Sequence, residues 1–258
     1  MSVFFFDLDG TLWDENCRIP ESTKEALGML HNAGHMLFIC TGRTKGFLNV
    51  PELAGLPFDG GVYGCGTHIE YKNRELFCAV LAPEKTQRIV DCCSAYRLLP
   101  ILEGPEYMYL DPVLPEYEEM RKNILQYRNP ARTVQSDPAA MTVQKATCIY
   151  TAASDAAGFN AELSAGFTVI PRGGLSEIVP EQYSKASGIQ YLLDFLHADK
   201  SCSYAFGDSE NDLPMLSHAG HGIAMGNSPD SVKQAAEFVT DDIHSDGISS
   251  ALKKLGFI

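Results

Sequence analysis

The sequence predicts an α/β protein, a parallel-sheet core interrupted by an inserted α+β domain. Three observations carry this. Short apolar runs alternate with helical stretches at both ends of the chain, the pattern of strands and helices packed in layers. Several of those runs stop at a small polar or acidic residue, and open parallel sheets collect ligands at the carboxyl ends of their strands. The alternation breaks near Ala82 and resumes at Lys185.

The elements follow in order. Val3–Phe6 is a continuous apolar run, which suits a strand buried on both faces. It ends at Asp7, and Gly10-Thr11 permits a sharp turn. Glu21–Asn32 reads as a helix with Ala26, Leu27 and Leu30 on one face, closed by Ala33-Gly34. Met36–Cys40 is the next strand, followed by Thr41-Gly42-Arg43 and a short helix over 45–50. The middle differs. Residues 84–96, 116–127 and 154–165 read as helices, the last with a Ser or Asp cap. Residues 98–102, 107–110 and 146–150 read as strands, and so do 167–170 and 175–179 around Arg172-Gly173-Gly174, a hairpin turn. Aromatics gather here, among them Tyr96, Tyr107, Tyr109, Tyr117 and Tyr127. The core is therefore expected at 1–81 and 181–258, with the insertion at 82–180. Lys185–Leu196 is a helix burying Ile189, Leu192, Leu193 and Leu196. Strands at 203–206, 222–225 and 238–239 and helices at 212–217, 231–236 and 247–255 complete the core. There is no internal repeat.

The 258 residues are 45% hydrophobic, enough for one sizeable core or two modest ones. Twenty Lys and Arg against 33 Asp and Glu leave a formal charge of −13. That field repels phosphate backbones and anionic membranes, so neither nucleic acid nor a lipid surface is an expected partner. A small phosphorylated ligand stays open, because a local cation reverses the field. The eight cysteines form no CxxC pair and read as reduced thiols. No apolar stretch approaches the roughly 20 residues of a membrane span. No basic region precedes the first apolar run, so a cytoplasmic monomer or homodimer is expected.

The chemistry concentrates at strand ends. Asp7 and Asp9 flank Leu8 directly after the first strand. Two carboxylates there are costly to bury unpaired, and a hard divalent cation resolves that cost. A solvated turn is the plainer alternative. Gly207-Asp208-Ser209-Glu210-Asn211-Asp212 follows another apolar strand. It adds the carboxylate of Asp208, with Asn211 and Asp212 as outer candidates. Thr41 puts a hydroxyl after a strand and near a helix start, where amides hold anions. Lys185 sits in the first turn of a helix, where a cation gains nothing from the dipole, so it is expected to face an anion.

These pieces resemble the haloacid-dehalogenase-like phosphohydrolase superfamily. The resembling runs are FFFDLDGTLW (4–13), ICTGR (39–43), SKASGIQYLL (184–193) and FGDSENDLPML (206–216). GIAMGNSPDSVKQAAEFVT (222–240) and DGISSAL (246–252) are similar to the end of its Cof-type branch. The resemblance implies a Rossmann-like core with a large α/β cap inserted between the second motif and the lysine. It implies that Asp7 attacks phosphorus to form an aspartyl-phosphate. It makes Asp9 the acid for the leaving alcohol and then the base for water. Mg²⁺ would be held by Asp7, the main-chain carbonyl of Asp9, and Asp208, with Asn211 and Asp212 orienting or supplementing that shell. Thr41, with the Gly42 amide nearby, would bind the phosphoryl oxygens, and Lys185 would neutralise nucleophile and phosphate. Phosphoryl transfer needs such positioning and charge stabilisation above all.

The chain departs from the branch at one place. Tyr63-Gly64-Cys65-Gly66-Thr67 carries Cys65 where Asn is usual. A nucleophilic cysteine lacks an assigned base there, and a small residue at a domain junction is the plainer account. Arg43 is a further phosphate or substrate candidate against an ion pair. His68, Trp13 and Glu177 are cleft candidates against packing or solvated positions. His218 and His221 are a weak zinc pair. The expected activity is Mg²⁺-dependent hydrolysis of a small phosphorylated metabolite, a sugar phosphate first. A phosphorylated cofactor such as flavin mononucleotide or pyridoxal phosphate is the next substrate class. A phosphosugar mutase and a non-enzymatic metal-dependent ligand sensor are the other readings.

Overall fold

The computed structural model describes residues 1–48, 51–110, 131–135 and 137–258. The helix expected at 116–127 lies outside the described residues, as do Tyr117 and Tyr127. The chain divides into two compact units, one of Met1–Gly42, Val50–Phe77 and Ser184–Ile258, the other of Arg43–Asn49 and Cys78–Tyr183.

The first unit is built on an eight-stranded sheet. Its strands are β1 (Val3–Phe6), β2 (Met36–Cys40), β3 (Gly60–Tyr63), β4 (His68–Tyr71), β5 (Arg74–Cys78), β12 (Ser203–Gly207), β13 (His221–Ala224) and β14 (Phe238–Val239). The order is β14-β13-β12-β1-β2-β3-β4-β5. From β14 to β3 the pairs are parallel, and β3 with β4 is antiparallel. The apolar run of β1 lies at the centre and buries both faces. Phe5 stacks on Phe38 on one side, while Phe4 and Phe6 stack on Tyr204 and Phe206 on the other. Helix α1 (Glu21–Asn32) buries Ala26, Leu27 and Leu30 and stops before Gly34, whose φ of +84° is left-handed. The β4–β5 hairpin is an element that strand periodicity did not identify. Its two turn residues, Lys72 and Asn73, both have positive φ, 48° and 60°, the requirement of a type I′ turn.

Helix α4 (Lys185–Leu196) covers one face with Ile189, Leu192 and Leu193, which cluster with Val3, Phe5, Phe38 and Val62. A Cβ on Gly188 would stand 2.3 Å from Val62 Cγ1, so the helix approaches β3 closely. Its start is set by a capping box: the Ser187 amide donates to Ser184 Oγ at 3.1 Å, and the Ser184 amide to Ser187 Oγ at 2.9 Å. That box places Lys185 at the first helical position.

In the second unit six strands order as β10-β11-β9-β6-β7-β8. They are β6 (Leu99–Glu103), β7 (Met108–Leu110), β8 (Ala131–Thr133), β9 (Lys145–Ile149), β10 (Phe167–Arg172) and β11 (Leu175–Pro180). All pairs are antiparallel except β7 with β8. β10 and β11 are joined across Gly173-Gly174, with Arg172 opposite Leu175. Helices α2 (Pro83–Tyr96) and α3 (Ala156–Leu163) pack on one face, Ile89, Cys93, Phe159 and Leu163 meeting Leu102, Ala146, Cys148 and Ile178. The cap of α3 is Asp155, whose carboxylate accepts the Gly158 amide at 2.9 Å.

The segment Arg43–Asn49, expected in the core, groups with the second unit. The reason is packing. Phe47 joins Leu99, Ile101, Met108, Leu110 and Ile149, and a Cβ on Gly46 would stand 2.7 Å from the Gly104 carbonyl oxygen. The helix expected over 45–50 is a single 3₁₀ turn, Lys45–Phe47, among the described residues.

The second half of the first unit continues as expected in kind. A 3₁₀ turn (Glu210–Asp212) leads into α5 (Leu213–His218), and α6 (Asp230–Ala235) and α7 (Gly247–Lys254) follow.

Candidate active site

Asp7 is the first residue past β1, and its amide still extends the ladder by donating to the Phe206 carbonyl at 2.9 Å. Its carboxylate is therefore held by the most central strand of the sheet, next to the end of β12. Lys185 Nζ lies 2.6 Å from Asp7 Oδ1 and 2.5 Å from Asp212 Oδ1. This lysine is 1% exposed. A cation in the first turn of a helix faces buried carboxylates, as the dipole argument required.

Asp212 anchors the loop after β12. Its Oδ2 accepts the amides of Asp208 and Ser209 at 3.0 and 2.9 Å. Both of its oxygens are thus engaged, one by lysine and one by backbone. The loop so held carries Asp208, whose Oδ1 accepts from Thr11 Oγ1 at 3.0 Å. It also carries Asn211, whose Oδ1 accepts from Ser209 Oγ at 2.9 Å. Gly10 has φ +81°, and a Cβ there would stand 2.5 Å from Asp208 Oδ2. Only glycine permits both that conformation and that approach.

Asp9 turns its carboxylate to Trp13, whose Nε1 donates to Oδ1 at 3.0 Å. Trp13 is fully buried, as the packing reading of this residue expects. Thr41 follows β2, takes the Val62 carbonyl through its amide at 2.9 Å, and accepts the Cys65 amide at 3.1 Å. Gly42 is buried beside it. The Arg43 guanidinium lies 4.8 Å from the centre of the Phe47 ring. The structure therefore brings Asp7, Lys185, Asp208 and Asp212 together. Asp9 follows β1 two residues past Asp7, Thr41 follows the neighbouring β2, and Arg43 belongs to the second unit.

Burial pushes the Asp7 carboxyl well above the ordinary range; the charges of Asp212, Asp208 and Asp9 push the same way, and Lys185 opposes them. Burial alone would depress Lys185, but Asp212 and Asp7 hold its ammonium well above the usual range. Three carboxylates act on Asp7 against one lysine. Asp7, Asp208 and Asp212 each place an oxygen within 4.8 Å of the others. Hard oxygen donors with uncompensated negative charge fit Mg²⁺. Since Asp212 is engaged elsewhere, Asp7 and Asp208 are the carboxylates suited to it.

The other candidates resolve differently. Cys65 is buried with φ 55°, between Gly64 and Gly66, both also positive. A left-handed residue explains why Asn is usual there. Burial drives the Cys40 thiol well above its ordinary range. His68 is buried with Glu70 and Glu75 at 3.5 and 3.4 Å. His221 pairs with Glu237 at 2.7 Å, and the described residues place neither His218 nor His221 in a metal-binding group. Glu177 lies between Lys145 and Arg172. Sequence reasoning missed Thr11 and Asn227. Thr11 was visible in the Asp-Gly-Thr turn. Asn227 donates from Nδ2 to the Gly10 carbonyl at 2.8 Å and accepts the Ile243 amide; only its place after a strand end hinted at it.

No helix among the described residues is long and apolar enough to cross a membrane. The haloacid dehalogenase-like hydrolase family matches residues 4–252. The chain is similar over its full length to the solved structure of the subclass IIB sugar phosphatase BT4131, with TM-score 0.88, 26% identity and 100% of each chain covered. It is 26% identical to 5-amino-6-(5-phospho-D-ribitylamino)uracil phosphatase YitU of Bacillus subtilis, covering 96% of this chain and 95% of that one. It is 27% identical to pyridoxal phosphate phosphatase YbhA of Escherichia coli, covering 96% of each. With the carboxylate–lysine centre at the strand ends and a family match across nearly the whole length, the chain belongs to the haloacid dehalogenase-like hydrolases, as a phosphoric monoester hydrolase with the large cap of the Cof branch.

Proposed function

We propose that the protein is a Mg²⁺-dependent phosphatase of a small phosphorylated metabolite, with Asp7 as nucleophile. The observation that carries this reading is the Lys185 ammonium 2.6 Å from Asp7 Oδ1, within a group of three carboxylates. One Asp7 oxygen is held and oriented by Lys185, and the carboxylate attacks phosphorus in line, releasing the alkoxide. Asp9, oriented by Trp13, gives its proton to that alkoxide. It then takes a proton from the water that cleaves the aspartyl-phosphate. The Thr41 hydroxyl and Gly42 amide hold the phosphoryl oxygens while Lys185 offsets the repulsion between two anions. Asp7, the Asp9 carbonyl and Asp208 would hold Mg²⁺, which would supply charge neutralisation for phosphoryl transfer.

A sugar phosphate is the leading substrate, supported by the likeness to the sugar phosphatase BT4131. A phosphorylated cofactor is the second reading, supported by the likeness to YbhA. The test is phosphate release from a panel of phosphate esters with purified protein and Mg²⁺, beside EDTA and Asp7→Asn. Release that needs Mg²⁺ and vanishes in Asp7→Asn supports the reading. Equal release with EDTA, or from Asp7→Asn, refutes it.

A further inference from the structure

The turn that carries Asp9 is held from within and from outside. Within it, the Leu8 carbonyl accepts the amides of Thr11, Leu12 and Trp13 at 3.2, 3.0 and 3.0 Å, and the Gly10 amide donates to the Trp13 carbonyl at 3.0 Å. The Gly10–Thr11 peptide separates Asp9 from Thr11, whose Oγ1 donates to Asp208 Oδ1 at 3.0 Å. On one side of that peptide is a glycine with φ +81°. Glycine takes either sign of φ at little cost, so this peptide is the part of the turn freest to rotate.

From outside, Asn227 Nδ2 donates to the Gly10 carbonyl at 2.8 Å. Asn227 stands on an anchored loop. β13 ends at Ala224, and the Met225 amide still donates to the Gly207 carbonyl at 3.0 Å, next to the loop of Asp208. The Gly226 amide donates to the Asp241 carbonyl at 3.0 Å, and a Cβ on Gly226 would stand 2.6 Å from the Asp242 nitrogen. Asn227 Oδ1 accepts the Ile243 amide at 3.2 Å. The side-chain amide therefore joins a packed loop at one end to the Gly10 carbonyl at the other. All of these residues lie in the first unit.

We propose that Asn227 is a positioning residue: its bond to the Gly10 carbonyl keeps the Gly10–Thr11 peptide in one orientation, and so keeps the Asp9 carboxyl where it protonates the departing alkoxide. This rests on the acid role of Asp9 given above and deepens it.

Asn227→Asp keeps an oxygen for the Ile243 amide and removes the donor to Gly10. Asn227→Ala removes both bonds and adds no charge. The experiment measures kcat/KM with Mg²⁺ for wild type, both variants and Asp9→Asn on glucose 6-phosphate, phenyl phosphate, 4-nitrophenyl phosphate and acetyl phosphate, and the thermal midpoint of each protein. The sugar and phenyl leaving groups are strongly basic and need a proton, whereas 4-nitrophenolate and acetate leave without one. A displaced general acid predicts a loss of about 10-fold or more on the first two esters and less than about threefold on the last two. The midpoints of both Asn227 variants should stay within about 2 °C of wild type, since Asn227 is exposed. Asp9→Asn should show the same division with a larger loss. If the charge of Asn227→Asp lowers all four esters alike, Asn227→Ala decides; if wild type spares glucose 6-phosphate, the two aryl esters, alike in shape, decide. Equal losses on every ester in Asn227→Ala, or none, while Asp9→Asn shows the division, overturn the role of Asn227 and leave that of Asp9 standing. Equal losses in Asp9→Asn refute its acid role and this inference with it. Wild type that releases phosphate from none of the four refutes the phosphatase reading itself.

Discussion

Glu177→Gln should destabilise the protein by an amount that depends on pH. Glu177 is 5% exposed and lies 2.6 Å from Lys145 Nζ and 2.9 Å from Arg172 Nη1. Burial alone would raise its carboxyl, but Lys145 and Arg172 overcome this and lower it from 4.5 to about 2. A depression of that size corresponds to about 3 kcal/mol of stability at neutral pH. Because the folded value lies below the unfolded one, the contribution is full above about pH 4.5 and is lost as pH falls towards 2. By pH 3 roughly 2 kcal/mol of it is gone. The assay is urea unfolding of wild type and variant at pH 7, 5, 4 and 3, followed by circular dichroism. Taking the difference between the two proteins removes the titration of the other carboxylates. The gap should be about 3 kcal/mol at pH 7 and 5 and should narrow to about 1 kcal/mol at pH 3. A gap that stays constant with pH would show that Glu177 is not held ionised by its partners.

Two further outcomes follow from the geometry. Asp212→Asn places an amide against the Asp208 and Ser209 amides or against Lys185, so the loop bearing Asp208 loosens; the Mg²⁺ concentration for half-maximal activity should rise about tenfold or more, and an unchanged Mg²⁺ titration would contradict this. Cys202 is exposed while Cys40, Cys93 and Cys148 are buried; a thiol reagent should modify Cys202 within minutes and the other three only after unfolding, and early labelling of Cys40 by peptide mapping would contradict the packing.

Much of the site was legible because its residues sit at strand ends in short runs. Asp7 and Asp208 follow apolar strands, and Lys185 sits where a helix gives a cation no reason to be. Each signal is local, and the sheet order converts them into neighbours. What stayed hidden depends on contacts distant in sequence. Phe47 draws Arg43–Asn49 to the second unit by packing on Ile101, Met108 and Leu110, and nothing in those seven residues announces it. The β4–β5 hairpin turns on Lys72-Asn73 rather than Asn-Gly, so the usual turn signal is missing. Glu103 lies just past the strand expected at 98–102, and the register sets it opposite Lys145. Trp13 packs in the core and also donates to Asp9, a contact that its place in the sequence did not announce.

The central claim is that Asp7 carries the phosphoryl group. It is tested most directly by rapid acid quench of the enzyme turning over a phosphate ester with Mg²⁺, followed by borohydride reduction and peptide mass spectrometry. An acyl phosphate on a carboxylate is reduced to the alcohol, so an aspartyl-phosphate leaves homoserine in its place. The account predicts homoserine at position 7 in wild type, dependent on substrate, and none at position 9 or 208. Homoserine at another aspartate, or none at any position while phosphate is being released, would contradict it.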